Sequence, residues 1–233
     1  RCQAVAAMTA VAIFVKTPGL SPIKTRLAAG IGIPLAEHWH QLAAQAVAQV
    51  AALANIGPVY WAVAEPDGLD HPLWAEYERL PQCSGGLGTR MAQIHARLVE
   101  RHGQALLLGA DTPQIDRHDL IAAHNWLSTA EPRQVLGPAH DGGFWLYGSN
   151  RITDTACWEA VPYSQAHTLE VFKKRFNHVG RWHTLPTHTD VDEHTDLDFA
   201  YHALMALPHP TSDQQGLIDW IQANAHALLT TGH

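Results

Sequence analysis

A chain of 233 residues, 46% of them hydrophobic, can bury one sizeable core. Its formal net charge of -7, with 15 lysines and arginines spread thinly, leaves no electrostatic footprint for a nucleic-acid backbone, so no nucleic-acid partner is expected. Three cysteines without a Cys-x-x-Cys pair, Cys2, Cys83 and Cys157, suggest neither a disulfide framework nor a cysteine-zinc site and fit a reducing cytoplasm.

The apolar stretch from Ala4 to Val15 follows an arginine and is alanine-rich, as a signal peptide can be. It is too short to cross a bilayer and runs directly into Lys16-Thr17-Pro18-Gly19. It therefore reads as the approach to a first strand, Val11 to Val15, halted by a Pro-Gly turn. Met8 is the expected start, with residues 1–7 an N-terminal extension and 8–233 a single domain. No other segment reads as membrane-spanning, so no membrane partner is expected.

Lys24-Thr25-Arg26 opens a short helix that ends in Gly30 and Gly32. Pro34 then takes a first helical position, and Leu35, Trp39, Leu42, Ala46, Val50 and Leu53 recur at three and four residues. That amphipathic helix closes at Gly57-Pro58, and Val59 to Ala64 is a second strand. The loop Pro81 to Gly88 leads to a helix from about Leu87 to His102 and a strand from Ala105 to Gly109. Asp116 caps the next helix, with Asp119 at its third position and Leu120, Ala123 and Leu127 as the apolar stripe. Val135-Leu136 and Phe144 to Tyr147 flank a glycine-rich turn and need not be parallel. A helix from about Gln165 to Phe176, a short strand near His183 to Leu185, an acidic cluster and two closing helices complete the chain. This alternation predicts an α/β protein with one mixed sheet sandwiched by helices.

Several constellations could carry chemistry. The run Leu106-Leu107-Leu108-Gly109-Ala110-Asp111-Thr112-Pro113 is apolar without alternation, as in a strand covered on both faces. Asp111 then lies at the carboxyl edge of the sheet, where open α/β proteins do chemistry, or it merely caps a turn. Lys16, Lys24 and Arg26 surround the first strand-to-helix turn and form either an anion site or a solvated turn. Neither a P-loop nor a dinucleotide fingerprint is present there. In Gln82 to Met91, three glycines precede a helix and allow close backbone approach, while Arg90 can grip a phosphate or carboxylate; a flexible surface loop is the alternative. Asp141-Gly142-Gly143 is either a simple turn or the floor of a pocket for a sugar or acyl acceptor. Asp190 and Asp192, two apart, project to one side of an extended segment and can hold one hard divalent cation, or they form a solvated acidic turn. Asp196 is better explained as a cap or first-turn residue of the helix Leu197 to Leu207. The 17 histidines lack a His-Glu-x-x-His pattern and are expected mostly to face solvent. Gly-x-Ser-x-Gly is missing too, which argues against a hydrolase.

The chain resembles the GT-A superfamily of nucleotide-diphospho-sugar transferases, in particular the bacterial arsenosugar-biosynthesis-type glycosyltransferases. The resemblance is carried by Phe14-Val15-Lys16-Thr17-Pro18-Gly19 with Lys24-Thr25-Arg26-Leu27, by Gln82 with Leu87-Gly88-Thr89-Arg90-Met91, and by Gly109-Ala110-Asp111-Thr112-Pro113. It continues through Gly137-Pro138-Ala139 with Asp141-Gly142-Gly143-Phe144 and Asp190-Val191-Asp192 with Asp196-Leu197, in family order. Similar elements occur in the guanylyltransferases of phospholactate and molybdenum-cofactor metabolism. The pattern usually has Asp at position 86 and Trp at 163; this chain has Gly86 and Tyr163.

The resemblance implies a Rossmann-like three-layer α/β/α domain with a mixed, mostly parallel central sheet. It implies a transferase that takes a nucleotide sugar or a nucleoside triphosphate together with a small-molecule acceptor. Lys16, Lys24, Arg26, Gln82, Gly88 and Arg90 would serve the nucleotide phosphates, and Asp111, Asp190 and Asp192 would hold Mg²⁺ or Mn²⁺. Asp111 and Asp141 would be catalytic, with Gly142 and Gly143 against the acceptor. Glycosyl transfer is the first reading, nucleotidyl transfer with release of pyrophosphate the second, and a nucleotide binder without turnover the third.

Overall fold

The computed structural model describes residues 8–225 and 228; the extension expected at residues 1–7 lies outside them. Strands β1 (Met8–Val15), β2 (Val59–Val63), β3 (Glu78–Pro81), β4 (Gly103–Gly109), β5 (Arg133–Pro138), β6 (Phe144–Ser149) and β7 (Arg181–Thr184) form a seven-stranded sheet in the order β3-β2-β1-β4-β6-β5-β7. β6 is antiparallel to β4 and β5, and the remaining pairs are parallel, so the sheet is mixed and mostly parallel. The helices are α1 (Thr25–Ile31), α2 (Ile33–Ala54), α3 (Leu87–His102), α4 (Arg117–Leu127), α5 (Thr155–Glu159), α6 (Thr168–Phe176), α7 (Asp196–Met205) and α8 (Ser212–Ala223).

The lack of alternation in β1 has a direct cause. Val11, Ile13 and Val15 pack on one face with α2 and α4, whereas Ala10 and Ala12 pack on the other with α3 and α6. Both faces are covered, so both must be apolar. A third cluster joins α1, α2, α7 and α8 through Leu27, Trp39, Leu197, Leu217 and Ile218, and it includes Val191 between the two aspartates. Among the described residues no helix is long and apolar enough to cross a membrane.

β1 and β4 lie side by side, but their onward connections depart in opposite directions across the sheet. A crevice opens at the carboxyl ends of these two strands, the usual ligand position in such sheets. The loop after β4 is held by Gln214 of α8, whose Nε2 donates to the carbonyls of Pro113 at 2.8 Å and Ile115 at 3.0 Å. Gln114 Nε2 in turn donates to Thr189 O at 2.7 Å, fixing the acidic segment beside it.

The expected helix from Gln165 begins at Thr168, because the Thr168 hydroxyl donates to Pro162 O and accepts from Gln165 N–H, closing a turn first. The strand expected near His183 to Leu185 is Arg181–Thr184.

Candidate functional site

Lys24 is the N-cap of α1 with φ 46, a left-handed conformation unusual for a side chain-bearing residue. Its side chain is only 7% exposed, and Nζ lies 2.6 Å from Asp111 Oδ2 and 2.8 Å from Asp192 Oδ1. Burial alone would lower the lysine pKa, but the two carboxylates outweigh it and raise the value, so the ammonium is charged. Burial likewise pushes Asp192 up, yet Lys24 and Arg26 overcome it and hold the carboxyl below its usual range. Arg26 reaches Asp192 at 2.5 Å and Glu193 at 3.3 Å from the exposed side of the cleft. Because α1 has only seven residues, the positive charge of this corner rests on its cations rather than on a helix terminus.

Asp196, the first residue of α7, accepts the backbone N–H groups of Asp192 and Glu193 at 2.9 and 2.8 Å. It is thus the expected first-turn residue and also orients Asp192. Asp190 does not bond to Lys24; its Oδ1 accepts the Thr112 hydroxyl. Burial is the main reason that its pKa is pushed up to about 7, with Asp111 and Asp141 adding to the rise and Thr112 opposing it.

Asp190 carries a pH signature. Between its ordinary value of 3.8 and about 7 the folded protein keeps a proton that the unfolded chain has released. Its contribution therefore makes stability fall as pH rises through that window and level off above it. Asp190→Asn is expected to flatten this slope. Thermal unfolding in EDTA should show the variant gaining on the parent from pH 4 to 7, and a pH-independent difference would refute the assignment.

His40 is among the histidines that the sequence reading set aside as mostly solvent-facing. It is buried on α2, with Nε2 3.1 Å from Lys16 O and Nδ1 3.9 Å from Asp111 Oδ1. Burial lowers its pKa more than Asp111 raises it, so the ring is neutral at pH 7. His95 is also enclosed, and burial takes its pKa down to about 3, so the expectation of solvent-facing histidines fails at both positions.

The cleft around Lys24 has a volume of about 680 Å³, and its walls include Lys16, Lys24, Arg26, Gln82 and Arg90. Gln82 is fixed by its Nε2 bond to Ala62 O at 2.8 Å, and Arg90 Nε by the carbonyl of Gly85 at 3.0 Å. Gly88 stands apart from this wall: it is buried, and a Cβ there would come within 2.5 Å of the Trp158 carbonyl oxygen. Its role in the fold is close packing of α3 on α5.

Gly86 is the N-cap of α3, with extended geometry, no side-chain cap and open space where a Cβ would go. The aspartate found here in the resembling family would cap the helix. Gly86→Asp is expected to stabilise the fold by a few tenths of a kcal/mol while weakening phosphate binding about fivefold through like charge. Thermal unfolding and nucleotide titration check the two halves separately.

A second pocket of about 310 Å³ adjoins the cleft and shares Phe14, Leu87, Gly109, Asp111, Ser164 and Asp192 with it. Asp141 stands at its edge, with Oδ1 accepting the Gly143 N–H at 2.8 Å. Gly142 braces the same loop from behind. Its φ is 88, its carbonyl accepts Leu169 N–H at 2.8 Å, and a Cβ would lie 2.0 Å from the Ala166 oxygen. Gly142→Ala is expected to cost about 1–3 kcal/mol, read as a fall in Tm.

The structure therefore brings Lys16, Lys24, Arg26, Gln82, Arg90, Asp111, Asp141, Gly143, Asp190 and Asp192 to the walls of two joined cavities. Among the described residues no group of three His, Cys, Asp or Glu closes on one cation position. What converges is a pair, Asp111 and Asp192, on the Lys24 ammonium.

A family model described as "Uncharacterized protein conserved in bacteria (DUF2064)" matches residues 41–165. No curated protein matches the chain. A crystal structure from Desulfovibrio desulfuricans G20, provisionally called a nucleotide-diphospho-sugar transferase, is 21% identical and superposes with TM-score 0.79, covering 92% of this chain and 95% of that one. A nucleotidyl transferase from Methanothermobacter thermautotroptrophicus is 11% identical with TM-score 0.56, covering 86% and 99%. A cytidylyltransferase from Leptospira borgpetersenii is 14% identical with TM-score 0.54, covering 96% and 98%. These likenesses show the fold.

Proposed function

The chain belongs to the DUF2064 family, and from that premise and its paired cavities we propose that it is a transferase acting on a nucleotide-activated donor, a glycosyltransferase using a nucleotide-diphospho-sugar. One observation carries the reading: a cleft with Lys16, Lys24, Arg26 and Arg90 on its walls opens, across Asp111, into a pocket edged by Asp141. Cations on one side suit a diphosphate, and a carboxylate on the other suits a hydroxyl acceptor.

The residues fit Mg²⁺ or Mn²⁺. Asp111 and Asp192 are hard oxygen donors that already converge on a cationic atom, and such ions commonly use one or two carboxylates with phosphate and water oxygens. Bound there, the ion would supply charge neutralisation for the leaving diphosphate. Asp190, hydrogen-bonded to Thr112, would act beside that pair. Arg26 and Arg90 would orient the phosphates from the open side. The acceptor hydroxyl oxygen bonds to the anomeric carbon as that carbon's bond to the diphosphate oxygen breaks. The electron pair leaves with the nucleoside diphosphate, and the Asp141 carboxylate takes the acceptor proton.

Nucleotidyl transfer is the second reading, favoured by the likeness in fold to the two nucleotide-transferring structures above. The products separate the two. With acceptor mixtures and either nucleotide sugars or nucleoside triphosphates, plus Mn²⁺, the first reading expects nucleoside diphosphate. Pyrophosphate as the sole product would replace it by the second, and binding without product from any donor would leave a nucleotide-binding protein.

A further inference from the structure

We infer that the acceptor is an uncharged polyhydroxylated small molecule with an apolar face, and that phosphorylated and carboxylated acceptors are excluded. The inference rests on the donor reading above and concerns the smaller cavity. That cavity of about 310 Å³ is lined by the rings of Phe14, Phe144, Trp145 and Tyr163, by the carboxylates of Asp111, Asp141 and Asp192, and by the Asp190 carboxyl group. Among the described residues, no lysine, arginine or histidine contributes to its wall. The larger cleft next to it has the cations Lys16, Lys24, Arg26 and Arg90, together with the neutral His40. Charge is therefore partitioned: the cations stand on the donor side, Asp111 and Asp192 border both cavities, and the far side holds Asp141 and Asp190 with the neutral Ser164, Gln165 and Thr168.

A phosphate ester carries about -1.5 to -2 at pH 7 and needs donors or cations when it leaves water. The smaller cavity would oppose it with like charge and aromatic walls, an arrangement that suppresses wrong partners. Carboxylates accept hydrogen bonds and cannot donate them, so they suit a ligand rich in O–H groups. The rings cover the apolar face of such a ligand. A volume near the lower end of small-molecule sites, which run from about 300 to 1,000 Å³, holds one compact molecule rather than a polymer. Asp141 is held in place by the Gly143 N–H, and the Gly142 loop is seated against Ala166, so the carboxylate is positioned before any acceptor arrives.

The experiment is ligand-detected saturation-transfer NMR on the full chain with matched pairs: glucose and glucose 6-phosphate, ribose and ribose 5-phosphate, glycerol and glycerol 3-phosphate. The neutral member of each pair is expected to show the contact, with the phosphorylated member at least about tenfold weaker. Asp141→Lys should narrow or reverse that ratio. The inference is overturned if phosphorylated members bind as well or better, or if no member binds. The wild-type pairs decide the matter even if the variant does not fold. Binding is scored without turnover, so neutral members that bind while no donor yields product would sink the transferase reading alone. Product formed only from phosphorylated acceptors would sink this inference alone.

Discussion

Replacing Asp111 with asparagine is expected to lower turnover by about 10³-fold while leaving the sheet folded. Asp111 lines both cavities, as does Asp192, and on the proposed function it lies where donor and acceptor meet. Asparagine keeps its size, and its side-chain oxygen can still accept from Lys24 Nζ, 2.6 Å from Oδ2 in the parent. The backbone bond from Val191 N–H to Asp111 O, at 3.2 Å, does not depend on the side chain. The negative charge is what disappears. Product assays beside thermal unfolding separate chemistry from folding: activity within tenfold of the parent, in a protein of similar Tm, would remove Asp111 from the reaction.

Lys24→Met should act mainly on stability and cation binding. Methionine fills much the same volume, but the buried ammonium between Asp111 and Asp192 is lost. Removing one partner of a buried pair costs about 3–5 kcal/mol, because the remaining charges face each other uncompensated. Arg26 still reaches Asp192, which keeps the loss towards the lower end. Mn²⁺ should then raise the Tm of the variant far more than that of the parent, since the position taken by Nζ is open to a competing cation. Thermal unfolding of both proteins in EDTA and in Mn²⁺ tests this. Equal shifts would show that Lys24 and the ion do not share a position.

Where local chemistry decides structure, the sequence was readable. β1 and β4 declared themselves because both faces of each are buried. Asp116 caps α4 as expected, its carboxylate accepting the His118 N–H, and Asp119 sits in the first turn. β3 escaped notice because it is a four-residue strand at the end of the sheet order with one fully buried side chain, Leu80, and no apolar run. α5 is a five-residue helix whose one local signal was the Asp154 cap.

The candidate site divides the same way. Glycines and charges mark the segments, and most of the residues singled out there line the two cavities. The Lys24 arrangement was beyond reach, since its partners are 87 and 168 residues away and packing alone unites them. His40 eluded sequence reading for a similar reason: nothing local separates it from the histidines expected to face solvent, and its burial is set by packing of α2 against the Lys16 segment. Gly88 and Gly142 looked like ligand-approach glycines, but in the fold one accommodates Trp158 and the other Ala166.

The clamp from Gln214 to the Pro113 and Ile115 carbonyls has a consequence in time. A growing chain emerges from its N-terminus and folds as it lengthens. β1 and β4 can pair long before Asp192 and Gln214 have been made. Until those two segments arrive, Lys24 lacks its second carboxylate and the loop after β4 lacks its brace. The nascent protein thus carries an unfinished cleft until Gln214 has been made, more than a hundred residues after Lys24 and its neighbours.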